Sequence, residues 1–270
     1  GYYDASIRAS VLPPENGGDG KLIVRFAVAP GQLYTLERVS LPGLEAAGER
    51  ADALRSSFPV HMGDAVDADT IFAGRVSLAT ALGEGGFPFA KVDDPVVEID
   101  HETRLGALDV PVAPGGFRTF GAITLSDPSK RLFSPRHLQR ISRFKPGEMY
   151  MVSDVEDLRR AIVATGLVSS ATLTPKEAGD GTHVNVDVAL TPAKMRTIAG
   201  EAGYGSGEGY RAEVSWQHRN FFPPEGALTL RGLVGTKEQF AGVSYRRNNF
   251  RRRDHVLTAG LSAQHINQDA

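Results

Sequence analysis

The chain has 270 residues, enough for about two domains by the usual relation between length and domain number. Its 41% hydrophobic and 23% charged content is ordinary for a globular protein, and a net charge of −2 gives no bias toward nucleic acid. The absence of cysteine excludes disulfides, thiolate catalysis and cysteine-ligated metals, and the absence of a long apolar run excludes a transmembrane helix.

The first two thirds of the sequence contain a repeated pattern. Each copy begins with glycine and an aromatic or apolar residue, continues with alternating polarity, and is followed by a second alternating run. The three copies begin with GYYDASIRASV (1–11), GFPFAKVDDPVVEI (86–99) and GLVSSATLTPK (166–176). The second runs end near Pro30, Pro114 and Pro192, which are 84 and 78 residues apart. This near-constant spacing indicates a structural repeat.

The segment between the first and second copies predicts one strand and two helices. Residues 33–41 alternate in polarity as a strand does, and residues 44–58 and 67–86 have helical character. In the second helix Ile71, Leu78 and Leu82 share one face, and the glycine pair at 85–86 ends it.

The segment between the second and third copies has the same order of elements. A strand over 117–125 precedes a helix that begins with Ser134 as N-cap and Pro135 at its first position. Ser153 and Glu156 predict a capping box at the start of the next helix, and Gly166 predicts its end. The residues predicted to form its buried stripe are Val155, Leu158 and Ile162. Each unit is therefore a small α+β domain of about 80 residues, whose three-stranded sheet keeps an edge open to another strand.

Helical periodicity is absent after Met195, where five alternating runs follow. They cover residues 197–205, 210–220, 227–234, 240–247 and 256–264, each close to the length of a tilted strand that crosses a bilayer. This region is also the more basic one, because residues 192–270 hold 11 Lys and Arg against 7 Asp and Glu. In the second run, Tyr210, Ala212, Val214 and Trp216 alternate with Arg211, Glu213, Ser215 and Gln217.

This alternation is compatible with two environments. A transmembrane β-barrel turns the apolar face to lipid and places aromatics near the strand ends, where Phe221, Phe222 and Phe250 occur. A soluble barrel or sandwich turns the apolar face inward, and Trp216 fits either arrangement. Five strands are too few to close a membrane barrel, so we expect a fragment that is cut at both ends. The basic run RRNNFRRRD (246–254) either contacts phosphate headgroups or acidic surfaces, or is a plain charged turn.

In this order, the segments resemble the POTRA-plus-barrel assembly factors of bacterial outer membranes. Residues 144–173 are similar to the last POTRA domain of that superfamily, and residues 198–232 are similar to its first barrel strands, including the short Gly-rich hairpin. Within the superfamily the chain most resembles the outer-membrane subunit of the translocation and assembly module. The barrel subunit of the general assembly machine is an alternative over this stretch, and a two-partner secretion pore is a weaker one.

The resemblance implies a fold class and domain boundaries. The fold is α+β POTRA repeats (β-α-α-β-β) followed by about the first five antiparallel strands of a transmembrane β-barrel. Residues 1–30 are expected to be the C-terminal part of a truncated POTRA domain, 31–113 a POTRA domain, 114–191 the last POTRA domain and 192–270 the N-terminal barrel strands.

The resemblance also implies a function, partners and a site. The protein is expected to assemble and insert outer-membrane proteins and autotransporters, with its POTRA domains in the periplasm. The expected partners are nascent outer-membrane proteins, the periplasm-spanning inner-membrane partner of the module, and the lipid bilayer. We expect no enzymatic activity, cofactor, metal or nucleic acid. The first barrel strand is assigned to a lateral seam that comprises Thr197, Ile198, Ala199, Gly200, Glu201, Ala202, Gly203 and Tyr204. The alternatives are an export pore for one dedicated substrate and a soluble β-rich binding protein.

Overall fold

A computed structural model of the chain describes residues 5–12, 23–130, 132–206 and 209–267. The chain divides into two compact units, Gly1–Phe117 and Arg118–Ala270, which are described separately. The first begins with strands β1 (Ser6–Leu12) and β2 (Ile23–Ala29), which pair antiparallel. The Gly-aromatic start of the first repeat copy, residues 1–4, lies outside the described residues.

The first unit continues with a complete copy of the repeat. Its elements are β3 (Thr35–Ser40), a 3₁₀ segment (Leu44–Arg50), α1 (Ala51–Arg55), α2 (Ala68–Glu84), β4 (Lys91–Val92), β5 (Val96–Asp100), β6 (Leu105–Asp109) and β7 (Val112–Ala113). The main sheet has the order β3-β6-β5, in which β6 is parallel to β3 and antiparallel to β5. The two short strands β4 and β7 pair separately.

Helix α2 follows the sequence prediction, whereas the helix predicted before it is broken. Ile71, Leu78 and Leu82 are buried in the core, and the Asp67 carboxylate accepts a hydrogen bond from the Thr70 N–H at 3.0 Å at the start of α2. Residues 44–58 do not form one helix, because Gly48 has a φ of 61° and interrupts the helical backbone inside the 3₁₀ segment, and α1 ends at Arg55.

The second unit begins with the same arrangement. Its elements are β8 (Thr119–Leu125), a 3₁₀ turn (Pro128–Lys130), α3 (Pro135–Ile141), α4 (Val152–Ala164), β9 (Val168–Glu177) and β10 (His183–Pro192). The sheet order is β8-β10-β9, with β10 parallel to β8 and antiparallel to β9. The predicted α+β repeat is therefore confirmed, since both copies have one topology.

The helix starts of this unit agree with the prediction at α3 and differ at α4. Ser134 caps α3 by accepting a hydrogen bond from the His137 N–H at 3.2 Å. The capping box predicted from Ser153 and Glu156 is wrong, because α4 begins at Val152 with Met151 as N-cap. The Tyr150 N–H donates to the Arg118 carbonyl and holds the preceding segment beside β8, so the chain enters the helix earlier. The predicted stripe of Val155, Leu158 and Ile162 is buried.

One edge of each three-stranded sheet is covered by the segment that leads into its second helix. In the first unit the Leu36 N–H donates to the Asp64 carbonyl at 2.8 Å, and the Gly63 N–H donates to Leu36 at 2.7 Å. In the second, the Phe120 N–H donates to Glu148 and the Gly147 N–H donates to Phe120, both at 2.7 Å. No described strand pairs with the outer edge of β5 or β9, so these are the open edges of the two sheets.

The rest of the second unit is a five-stranded antiparallel sheet in chain order. Its strands are β11 (Arg196–Gly205), β12 (Gly209–Phe222), β13 (Gly226–Gly235), β14 (Glu238–Arg247) and β15 (Leu257–Ile266). These correspond to the five predicted runs. No helix among the described residues is long and apolar enough to span a membrane.

Candidate functional site

The apolar side chains of the five-stranded sheet form one continuous, exposed face. The strand register places Ile198, Trp216, Leu230, Val243 and Leu261 in a single row across all five strands. Ile198 is 75% exposed and Leu261 is 77% exposed. A sandwich core would bury such a row against a second sheet, but no described element covers it. The exposed row favours lipid as the environment of this face.

The opposite face of the sheet is polar and carries its own interactions. Glu213 accepts two hydrogen bonds from Arg231, at 2.6 and 2.9 Å, and a third from Arg211 at 3.3 Å. The Gln217 amide donates to the Thr229 hydroxyl at 3.2 Å on the same face. Leu233, which breaks the alternation, is buried on this face in register with Phe240. Such a face suits the interior of a barrel.

Aromatic residues lie at both ends of the apolar face. Near the β11–β12 turn the rings of Tyr204 and Tyr210 are 4.9 Å apart. At the other end, the ring centroids of Phe221 are 6.3 Å from Trp216 and 4.9 Å from Phe222. Eleven residues separate Tyr210 from Phe221, about 36 Å of strand. At a barrel tilt of about 40° this spans about 28 Å, close to the apolar band of an outer-membrane barrel.

The predicted interface residues are only partly brought together. Trp216, Phe221 and Phe222 belong to one aromatic group, which also includes Tyr245 at 5.5 Å from Phe222. Phe250 lies in the β14–β15 loop, where its ring faces the guanidinium of Arg251 at 5.3 Å. Sequence reasoning missed the tyrosine pair as an interface feature, although both tyrosines flank the Gly-rich hairpin.

The predicted seam residues, Thr197 to Tyr204, all lie on β11 at the edge of the sheet. They are exposed, and among the described strands β11 pairs only with β12. A Cβ added at Gly203 would meet nothing within 4 Å, and one at Gly200 would meet only the Glu213 carbonyl at 3.7 Å. Close packing does not require these glycines, and they leave β11 with little side-chain cover.

A second cluster joins the last α+β repeat to the turns of the sheet, and we call it the junction. At its centre is Glu225, a buried residue in the β12–β13 turn with a φ of 63°. Its carboxylate accepts hydrogen bonds from His137 Nε2 on α3 at 2.5 Å and from Asn249 Nδ2 in the β14–β15 loop at 2.7 Å. His137 is also buried, and Arg140 donates to its Nδ1, so the ring proton lies on Nε2 and points at Glu225.

The junction also contains a set of ion pairs around Asp157 of α4. Arg253 donates to both carboxylate oxygens, with Nη2 to Oδ1 at 3.0 Å, and Arg143 Nε lies 3.3 Å from Oδ2. Arg143 also lies 3.6 Å from Asp254, a loop residue. At the nearby chain connection, Arg219 donates to the Lys194 carbonyl at 3.0 Å. Two turns of the sheet are thus held to two helices of the repeat.

Acidification is expected to loosen the Asp157 contacts at low pH. The hydrogen bond from Arg253 holds the pKa of Asp157 below its ordinary value. A depressed pKa stabilises the folded state above the unfolded pKa, about 3.9, and this stabilisation is lost as the pH falls through the folded pKa. Limited proteolysis of the 248–256 loop between pH 7 and pH 3 measures the change. In the Asp157→Asn variant this part of the pH dependence should be absent, and an unchanged profile would contradict the assignment.

Comparisons with known proteins identify the fold. No family model matches the chain. The chain is 22% identical over 271 residues to "Outer membrane protein assembly factor BamA" of Neorickettsia risticii (strain Illinois), an alignment that covers 100% of this chain and 35% of that protein. The structure of BamA from Haemophilus ducreyi lacking POTRA domains 1–3 superposes with a TM-score of 0.72 at 17% identity, over 86% of this chain and 43% of that one.

A third similarity is weaker. CdiB from Acinetobacter baumannii aligns with a TM-score of 0.43 at 14% identity, over 87% of this chain and 45% of that one, which is too low to support an argument. The chain spans about a third of the curated relative and less than half of the BamA structure. The BamA match shows that the fold is POTRA-type α+β repeats followed by the first strands of a barrel, as predicted. The curated relative is named as an assembly factor rather than as an enzyme.

Proposed function

We propose, on the basis of the POTRA and barrel homology that the chain shares with the BamA/Omp85 family, that it belongs to an outer-membrane protein assembly and insertion factor. Strands β11–β15 lie in the outer membrane, and the α+β repeats are POTRA domains in the periplasm. The observation that carries the proposal is the edge strand β11, which follows the last repeat directly and begins a sheet with an exposed apolar face.

The open edges of the α+β repeats and the edge strand β11 suggest two successive binding steps for a nascent outer-membrane protein. An extended segment of a nascent outer-membrane protein adds to β5 or β9 in the periplasm through main-chain hydrogen bonds. It then pairs with β11, over Thr197 to Tyr204, at the seam where β11 would otherwise pair with the last strand of the barrel. Each strand that forms there satisfies its backbone groups and buries apolar side chains in lipid, and these two changes supply the free energy of insertion.

The sequence of β11 suits a pairing that exchanges. Gly200 and Gly203 contribute no side chain to cross-strand packing. Glu201 lies opposite Glu213, whose charge is already paired with Arg231, so no ion pair forms across β11 and β12 at this position. The middle of β11, residues 199–203, therefore offers a partner strand little besides its main-chain ladder, which an incoming strand can extend.

Site-specific crosslinking in the full-length protein, in its native envelope, tests the proposal. A photo-crosslinking residue at Ala199 should capture several different outer-membrane proteins in transit. The matched control is Ser215, which faces Ala199 in register on the inner strand β12 and should capture few. Capture of one dedicated exported protein would indicate a secretion pore instead. No capture, with the protein recovered in the soluble fraction, would support the soluble β-rich alternative.

The resemblance to the translocation and assembly module supports a narrower role within this proposal. In that role the substrates include autotransporters, and the POTRA domains bind a periplasm-spanning partner in the inner membrane. Depletion of the protein should then reduce a subset of outer-membrane proteins, with autotransporters among them, and leave the bulk unchanged. A loss of nearly all barrel proteins would assign the chain to the general assembly machine. Affinity purification of the full-length protein checks the inner-membrane partner.

A further inference from the structure

The end of β14 and the loop after it hold five arginines within eight residues, and these divide into two groups. Arg253 is paired with Asp157, and Arg246 donates to the Asn248 side chain at 3.2 Å. In the described parts of the chain, Arg247, Arg251 and Arg252 have no acidic partner. The nearby Asp254 faces Arg143 and Arg253. Arg246 has no acidic partner either, but it lies on the polar face of the sheet, so we call the other three the free arginines.

The strand register places the first of the free arginines on the apolar face. Arg247 is in register with Gly226 on β13 and Leu257 on β15, and Gly226 is in register with Phe222. It lies two residues beyond Tyr245 on the same face. The side chain thus projects from the apolar side of the sheet, just outside the aromatic group, and not from the polar side. An arginine in this position reaches the headgroup layer of a membrane.

The β14–β15 loop adds apolar surface beside the other two free arginines, Arg251 and Arg252. The guanidinium of Arg251 lies over the Phe250 ring at 5.3 Å, and Arg252 is exposed next to it. Leu257, which follows the loop, is exposed and is in register with Arg247. At this end of the apolar face, Arg247 therefore borders an aliphatic side chain and Arg251 borders an aromatic ring. A partner that carries both an anion and a hydrocarbon chain fits this combination.

We propose that the free arginines, with Phe250 and Leu257, form a site for the phosphate group of an anionic phospholipid in the periplasmic leaflet. The inference rests on the proposed function, because it requires the apolar face to lie in the outer membrane. Guanidinium groups bind phosphate oxygens in a bidentate manner, and aromatic and aliphatic side chains pack against the glycerol and acyl region. Free phosphate would gain nothing from the apolar border of the site, which is why a lipid is the occupant.

The proposal is tested with the full-length protein reconstituted in phosphatidylcholine vesicles with or without phosphatidylglycerol. Native mass spectrometry of the re-extracted protein measures the retained phosphatidylglycerol. The variant Arg247→Ser/Arg251→Ser/Arg252→Ser should retain about 100-fold less, because each of the three arginines at an anionic surface contributes about 5-fold. A matched control, Arg8→Ser/Arg55→Ser/Arg136→Ser, removes the same charge at exposed positions elsewhere and should retain as much as the wild type.

The outcomes separate the possible ligands and the two proposals. Equal retention by the variant and the wild type would overturn the lipid site. Displacement of phosphatidylglycerol by inorganic phosphate at physiological concentration would show a phosphate site that needs no lipid, and would also overturn it. If the wild-type protein does not insert into vesicles at all, that result contradicts the proposed function and not the lipid site alone.

Replacement of the three free arginines by lysine should keep part of the phosphatidylglycerol retention, since the charge remains.

Discussion

Replacing His137 with alanine is expected to destabilise the junction by about 2–3 kcal/mol, the usual cost of removing a hydrogen-bond donor from a buried carboxylate. His137 is the α3 residue that donates to the buried Glu225 carboxylate, and its loss leaves that carboxylate with Asn249 as its side-chain donor. The last repeat should then detach more readily from the β12–β13 turn. Distances between spin labels on α3 and on this turn, in full-length protein in vesicles, should broaden.

Two variants separate this effect from a general loss of helix stability. His137→Gln keeps a side-chain N–H donor near the Glu225 position and should recover part of the lost stability. Arg136→Ala changes the preceding residue of α3, which is exposed, and should leave the distances unchanged. If Arg136→Ala broadened the distances as much as His137→Ala, the effect would come from the helix and not from the buried pair.

Replacing Val243 with arginine is expected to destabilise the barrel by about 1–3 kcal/mol, between the small cost of a charge at the membrane interface and the larger cost at the bilayer midplane. Val243 belongs to the row that contains Trp216, and it lies two residues from Tyr245 of the aromatic group, on the lipid side of that group. Denaturant titration of the full-length protein folded into vesicles measures the change. The same substitution on a water-exposed surface would have little effect.

The adjacent residue provides the matched control for this prediction. Ser244 lies on the polar face, in register with Thr229, and has the same distance from the strand ends within one residue. Ser244→Arg should cost less than about 1 kcal/mol, because the side chain points into the polar interior. A reversed order, with Ser244→Arg the more damaging change, would place the apolar face in water and contradict the membrane location.

The parts of the fold that could be predicted are the strands and helices whose apolar residues recur at a regular spacing in the sequence. The strands β11–β15 alternate strictly enough to be located from sequence, and α2 shows its buried face through Ile71, Leu78 and Leu82. The start of α4 was predicted wrongly because it depends on the hydrogen bond between Tyr150 and Arg118, which lie on different elements. Where contacts between distant parts of the chain fix the end of a helix, the residues around that end do not reveal it.

In the candidate site, as in the fold, some features could be predicted from the sequence and others could not. The edge position of β11 followed from the order of the runs, so the predicted seam residues could be placed together. The junction could not be found, because His137 and Glu225 are 88 residues apart and Asp157 and Arg253 are 96 apart. The arginine-rich stretch 246–254 is visible in the sequence as charge, but which of its arginines are paired depends on contacts that only the folded chain shows.

The covered edge of each POTRA sheet limits how many strands a repeat can accept. Residues 63–66 occupy the outer side of β3, and residues 147–150 occupy that of β8. A sheet with two free edges could link one molecule to the next without end, as in fibrils. With one edge closed by its own chain, a repeat can add at most one strand, so such growth stops there. Under the proposed function, this one-to-one stoichiometry would protect the repeats from aggregation in a periplasm crowded with unfolded β-strands.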